Sequence, residues 1–243
     1  MPYLNGVSFA VETQTRNKRK VVNKLNDLTA KEWLPETVSV FVQKGLGKGH
    51  KDAQIEREHP APFSFQDVGR LIKFFTKKGD IVLDPFCGVA STLKACAISE
   101  RNSYGIELVR KYLELGRKRL KKEVPEEVLK RTTQKLMLGD SRKVILRFDD
   151  GFFDFIVTSP PYWNILHKID HKAKQERANN GLDIKYSNDT RDIGNIKTYG
   201  AFLNELSGFF NDCSRILKPE KYMCIVVSDF RHRSDYYMFH SDW

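Results

Sequence analysis

The stretch Asp154-Phe155-Ile156-Val157-Thr158-Ser159-Pro160-Pro161-Tyr162-Trp163-Asn164 runs an apolar segment straight into two consecutive prolines and two aromatic side chains. Proline lacks an N–H and fixes φ, so the carbonyls of Ser159 and Pro160 would project from a stiff turn. A rigid acceptor suits one task well: hydrogen bonds to the protons of a planar exocyclic amino group help rehybridise its nitrogen for in-line attack on a methyl sulfonium. Tyr162, helped by Trp163, would stack on a base turned out of a duplex. As an isolated string, Ser-Pro-Pro-Tyr reads more readily as a turn or a proline-rich ligand motif. Its place after a buried strand reverses that preference.

A second set of residues could hold a nucleoside. The run Ile81-Val82-Leu83 leads into Asp84-Pro85-Phe86-Cys87-Gly88-Val89-Ala90-Ser91-Thr92 and then a helix. This places a tight turn at the carboxyl edge of a first strand, where open α/β sheets bind ligands. Gly88 allows close backbone approach, and the free N–H groups of a helix opening at Ser91 and Thr92 can hold a carboxylate or phosphate. Glu107 ends a second strand, where a carboxylate could accept both ribose hydroxyl protons. Asp140 and Ser141 follow a third strand; Asp140 would lie in reach of an adenine amino group or else merely cap a helix. Three acids at successive strand ends agree better with an adenosine lacking phosphates than with a dinucleotide, whose pyrophosphate Asp84 would repel. That argues against a dehydrogenase.

The elements that must position these residues are legible as alternating periods. A helical period runs through Phe65, Val68, Leu71, Ile72 and Phe75, and a helix is expected from Ser91 to Ser99. A long basic helix carries Tyr112, Leu113, Leu115 and Leu120, and another runs through Phe202, Leu206, Phe209, Phe210 and Leu217. Between them fall strand candidates at 81–83, 104–106, 136–138, 153–157 and 222–227. Such alternation predicts an α/β fold with a doubly wound, mainly parallel sheet. The reading divides the chain into a basic N-terminal arm, 1–58, and a catalytic domain, 59–243, with a polar insertion at about 165–198.

Composition narrows the partners. Forty-one Lys and Arg against thirty-one Asp and Glu leave a net charge of +10, which favours a polyanion. Cys87, Cys96, Cys213 and Cys224 form no close pair, which suggests neither a zinc ribbon nor a disulfide framework and fits a reducing, cytoplasmic compartment. No apolar run approaches the roughly 20 residues that span a bilayer. The basic cluster Arg16, Lys18, Arg19, Lys20 and Lys24 is read as a solvated face before a DNA contact. Lys44-Gly45-Leu46-Gly47-Lys48-Gly49-His50 lacks the Gly-Lys-Ser/Thr ending of a phosphate loop and is expected to be a basic loop. His167 and His171 could share one helical face for a metal, but a solvated polar segment is favoured and no metal is expected.

Taken together, these motifs resemble the amino-methyltransferases of DNA restriction-modification and orphan systems, which act on cytosine N4 or adenine N6. Asp84-Pro85-Phe86-Cys87-Gly88 resembles that family's cofactor loop, Glu107 its ribose acid, Asp140 its adenine-side acid and Ser159 to Tyr162 its catalytic tetrapeptide. His59-Pro60-Ala61-Pro62-Phe63 resembles the segment that closes over the methionine end of the cofactor, with Pro60 and Phe63 as contacts. The resemblance implies a Rossmann-like methyltransferase fold, S-adenosylmethionine as cofactor, double-stranded DNA with base flipping as substrate, and a cognate restriction endonuclease as a candidate partner. Ser at position 159 resembles the cytosine-N4 enzymes more than the adenine-N6 ones.

Three departures stand out. Ala90 occupies the place of a usual second glycine, and its Cβ restricts positive φ. The chain ends at Trp243, soon after the fifth strand, leaving little for the final antiparallel hairpin of the fold resembled. A target-recognition domain expected downstream is missing, so either the chain is a fragment or the 165–198 insertion does some of the recognition. Two other readings compete: an RNA or protein-amide methyltransferase, against which Ser159 weighs, and a non-catalytic cofactor- or DNA-binding remnant.

Overall fold

The computed structural model of the chain describes residues 23–40, 46, 49–61, 63–163, 175, 178–179, 181, 183–232 and 234–242. The short apolar runs form β1 (Ile81–Asp84), β2 (Asn102–Glu107), β3 (Gln134–Leu138), β4 (Phe153–Thr158) and β5 (Leu217–Ile225). They pair in the order β3-β2-β1-β4-β5, and every pairing is parallel. The helices are α1 (Ala30–Glu36), α2 (Phe65–Phe75), α3 (Ser91–Ile98), α4 (Arg110–Glu123), α5 (Glu126–Arg131), α6 (Ser141–Val144) and α7 (Tyr199–Ile216).

Two cores explain why β4 reads as an unbroken apolar run. On one face Leu83, Ile106 and Ile156 pack with Phe202, Leu206 and Phe209 of α7. On the other, Val82, Phe155 and Val157 meet Val68 and Ile72 of α2 and Ala95 and Cys96 of α3. A strand covered on both faces has no solvent side on which to alternate. The strand order reverses between β1 and β4, so the crevice beyond their carboxyl ends is the place where such a sheet takes ligands. This is the α/β, Rossmann-like architecture that the alternation predicts.

The C-terminal part departs from expectation. Helix α7 stops at Ile216 and β5 begins at once, because Pro219 cannot continue a helix yet is tolerated on an edge strand. A short antiparallel hairpin follows, β6 (Phe230–His232) with β7 (Asp235–Tyr237), and it pairs with itself and not with the main sheet among the described residues. Its Phe230 and Tyr237 rings stack at 5.3 Å and join Phe239 and Trp163 in the α7-side core.

The N-terminal residues that are described pack on the sheet domain. Thr29 caps α1 in a reciprocal box with Glu32, Trp33 lies 4.9 Å from Phe74, and Glu36 pairs with Arg70 at 2.9 Å. Beneath the loop after β1 lies a buried ionic network. Arg119 holds Glu56 at 2.6 Å, Glu123 at 3.0 Å and the Ser91 hydroxyl at 2.8 Å, while Lys94 holds Glu123 at 2.7 Å and Asp52 at 3.2 Å. Removing one partner of a buried pair leaves the other charged and unsolvated, at a cost of about 3–5 kcal/mol. Arg119→Met, which keeps much of the volume, is therefore expected to lower the melting temperature by roughly 10 °C. Thermal denaturation checks this; a fall of under about 3 °C would mean that water reaches Glu56 and Glu123.

None of the described helices is long and apolar enough to cross a membrane. His167, His171, Asn164 and most of 41–48 lie outside the described residues.

Candidate active site

The loop after β1 is built around Asp84. Its carboxylate, buried at the strand end, accepts from the hydroxyls of Thr92 and, at 2.7 Å, Thr158, and from the Phe86 N–H at 3.1 Å. These bonds tie the start of α3 and the end of β4 to one point. Burial raises the Asp84 pKa to about 6, partly offset by those same three donors. Asp84 and Thr92 thus set the shape of the loop. Gly88 follows at φ +50°, and a Cβ there would lie 3.2 Å from His59 Nε2, so the His59 ring rests directly on the glycine.

Ala90 adopts φ +63°, the left-handed conformation that its Cβ disfavours. Room for that Cβ comes from Gly116 on α4, where a methyl would sit 3.1 Å from it. The departure from glycine at 90 is matched by a glycine opposite. Ala90 also gives α3 no side-chain cap, so the first-turn N–H groups that Ser91 and Thr92 were expected to frame are not filled by a cap.

Glu107 ends β2 against the same crevice. Burial raises its pKa to about 7; N–H groups of Val109, at 2.7 Å, and Gly88 pull it down, and Asp192 and Asp84 push it up. Asp140 ends the turn after β3 and caps α6 through the Arg142 N–H at 3.1 Å. Both its oxygens also bind the Arg142 guanidinium, at 2.9 and 2.8 Å. The capping alternative is the arrangement found, although Asp140 still lines the pocket. The Ser141 hydroxyl donates to the Pro85 carbonyl, which fastens the β3 end to the loop after β1.

The double-proline corner follows β4 directly. Among the described residues no donor occupies the carbonyls of Ser159 and Pro160. Tyr162 is partly buried, edge-on to Phe239 at 5.5 Å and to Phe230 at 6.1 Å. Burial raises its pKa, against Ser159 and the Ser228 backbone, which lower it. Trp163 is placed otherwise than expected. Its Nε1 donates to the Ile196 carbonyl at 2.8 Å, and its ring is buried against Tyr199, His232 and Tyr237, so it supports the corner and offers no face to a base.

One pocket collects the two motif sets. Its walls include Phe63, Asp84, Pro85, Phe86, Gly88, Ser91, Glu107, Asp140 and Ser141 from the first set and Ser159 and Pro161 from the corner. Pro60, Thr92, Pro160, Tyr162 and Trp163 do not line it. An acid at each of three strand ends favours hydroxyl donors and a positive centre over phosphates, and an uncapped helix start can take a carboxylate. The donor set fits S-adenosylmethionine.

The sequence comparison agrees. A family model described as DNA methylase, for N6 and N4 enzymes, matches residues 3–118 and 153–242. The chain belongs to that DNA methylase family. The type II methyltransferase M.BglI of Bacillus subtilis is 44% identical over 61 residues, 25% of this chain and 18% of that protein. M.MthZI of Methanothermobacter thermautotrophicus is 36% identical over 122 residues, 50% of this chain and 30% of that protein. The alignments thus span 30% or less of these two curated relatives. A SAM-dependent methyltransferase structure from Aquifex aeolicus is 16% identical, with 72% of each chain covered and a TM-score of 0.39.

In this methylase the pocket has further walls that the sequence does not single out as contacts: His59, Tyr112, Tyr186, Arg191, Asp192 and Ile193. His59 opens the His59-Pro60-Ala61-Pro62-Phe63 segment, in which the resemblance points to Pro60 and Phe63 as contacts. Tyr112 was read only as an apolar position of α4. The other four come from the polar insertion, which carries no periodicity to reveal a buried side.

Proposed function

We propose that this DNA methylase transfers a methyl group to an exocyclic amino nitrogen of a DNA base, with cytosine N4 as the preferred acceptor. One observation carries the reading: Ser159 and Pro161 share a pocket with Asp84, Glu107 and Asp140 along one rim of the sheet. When bound, S-adenosylmethionine supplies a methyl group on a sulfonium that is already a good leaving group. The chain's own residues bind, orient and exclude water.

In this reading Glu107 accepts the ribose hydroxyls, and the first turn of α3 faces the amino-acid carboxylate. Asp140, held by Arg142, borders the adenine side. The Ser159 and Pro160 carbonyls accept hydrogen bonds from the target amino group and fix the direction of its lone pair, and the proton lost after methyl transfer passes to solvent. Tyr162 stacks on the flipped base. Cytosine is preferred because Ser stands at position 159. A net charge of +10 supports attraction to the phosphate backbone.

The test is to incubate the protein with labelled S-adenosylmethionine and mixed-sequence duplex DNA, digest the DNA and identify the labelled nucleoside. N4-methylcytosine is expected. N6-methyladenine would overturn the base preference alone, and cofactor binding without label in DNA would overturn the proposed activity.

A further inference from the structure

The segment from Asp183 to Lys197 crosses the pocket as a strap pinned at both ends. At one end Asp183 accepts from Lys111 at 2.6 Å and from the Tyr112 hydroxyl at 2.9 Å, both on α4. At the other, the Ile196 carbonyl takes the Trp163 N–H, and a Cβ on Gly194 would lie 3.3 Å from the Tyr162 carbonyl and 3.6 Å from Pro161. The middle is tied down as well: Arg142 donates to the Arg191 carbonyl at 2.8 Å, and Ser187 donates to Asp192 at 2.8 Å. The strap therefore joins the cofactor half of the site to the double-proline corner.

Tyr186 lies three residues beyond the Asp183 end of this strap and lines the pocket. Its ring lies 5.6 Å from His59, the residue that rests on Gly88 in the loop after β1. Among the described residues its hydroxyl has no hydrogen-bond partner. Burial pushes its pKa up, and its charged or ionisable neighbours Tyr162, Asp192 and Glu107 add to this, so it is a neutral donor at ordinary pH. A hydroxyl free on the wall of a pocket can donate to a ligand at no loss to the fold.

The sheet order says which part of a ligand that would be. With the ribose at the end of β2, on Glu107, the adenine extends toward β3 and Asp140. The amino-acid end extends the other way, toward the loop after β1, where His59 rests on Gly88 with the Tyr186 ring beside it. We infer that Tyr186 is a cofactor-contacting residue whose hydroxyl donates to the carboxylate of the cofactor's amino-acid moiety. The strap thereby seals this end of the pocket and sets the reach of the methyl group toward Ser159. Asp84, Glu107 and Asp192 line the same pocket, so a neutral hydroxyl donor adds to the N–H groups of α3 in offsetting their repulsion of a ligand carboxylate. This inference rests on the proposed adenosine site at Glu107.

The experiment compares two ligands by calorimetry in the wild type and in Tyr186→Phe. S-adenosylhomocysteine carries the amino-acid end, and 5′-methylthioadenosine lacks it. Loss of a hydrogen bond to a charged group predicts about tenfold or more weaker binding of S-adenosylhomocysteine in Tyr186→Phe. Affinity for 5′-methylthioadenosine should change by less than about twofold, on the order of a fraction of a hydrogen bond. An unchanged S-adenosylhomocysteine affinity, or equal weakening of both ligands, overturns the assignment of Tyr186. If the wild type binds neither ligand, the adenosine reading itself fails, and the inference with it. The melting temperature of Tyr186→Phe should match the wild type, because the hydroxyl holds no partner in the fold; a lower one places it in the fold and likewise overturns the assignment.

Discussion

Tyr162→Ala is expected to lower methyl transfer by about 100-fold or more while leaving the dissociation constant for S-adenosylhomocysteine within about threefold. The magnitude follows from aromatic stacking on an extruded base, about 1–3 kcal/mol per base, with a further loss because the corner itself loosens. The sparing of cofactor affinity follows from position: Ser159 and Pro161 line the pocket, but Tyr162 does not. Truncation also removes ring contacts to Phe230 and Phe239, so a drop in stability accompanies it. Tyr162→Phe separates the two effects. It keeps the ring and its packing, loses only the hydroxyl that faces Ser159 and Ser228, and is expected to retain activity within about tenfold. Filter-bound label from duplex DNA under single-turnover conditions measures both variants. Full activity in Tyr162→Ala would remove this residue from the catalytic reading.

What made this site legible was local. The β4 run and the prolines after it are contiguous, and no distant contact is needed to see that a strand delivers a stiff corner. Glu107 could be placed because strand ends converge on one edge once the sheet is parallel. The pairing of Asp140 with Arg142 is not visible in the same way, since a capping acid and a base two residues on, in the first turn of α6, touch only once the backbone has turned there. Trp163 illustrates a different blindness. An aromatic next to a catalytic corner reads as a ligand platform, yet the indole N–H found a carbonyl on the strap and the ring went to the core. The strap itself was seen only as polar composition. Its order comes from side chain to backbone bonds, such as Asn195 to the carbonyls of Ser187 and Asp189, which leave no periodic trace. The tolerance of Ala90 at positive φ was equally hidden, because its explanation, Gly116, lies on another helix.

Glu107→Gln should move function and stability in opposite directions. In the folded chain the carboxyl is raised from 4.5 to about 7, chiefly by burial. A carboxyl raised on folding binds its proton more tightly in the folded state, so stability falls as pH rises through the window from about 4.5 to 7 and stays lower above it. The full penalty, about 3 kcal/mol as an upper bound, is absent below the unfolded value. Glutamine carries no such penalty and keeps an acceptor for the Val109 N–H. At pH 8 the variant should therefore melt several degrees above the wild type, with the two converging near pH 4.5. Cofactor affinity should move the other way, because an ionised carboxylate can accept both ribose hydroxyls and an amide oxygen does so less well; a loss of about 10- to 100-fold is expected. The wild-type affinity should tighten as pH rises from 6 to 8, whereas the variant should keep only the dependence that Asp84 contributes. Asp84, raised to about 6, titrates in both proteins, so the difference between the two profiles isolates Glu107. A variant that loses affinity without gaining stability at pH 8 would show that the buried acid is already neutralised by another group, and the ribose role would then need a different residue.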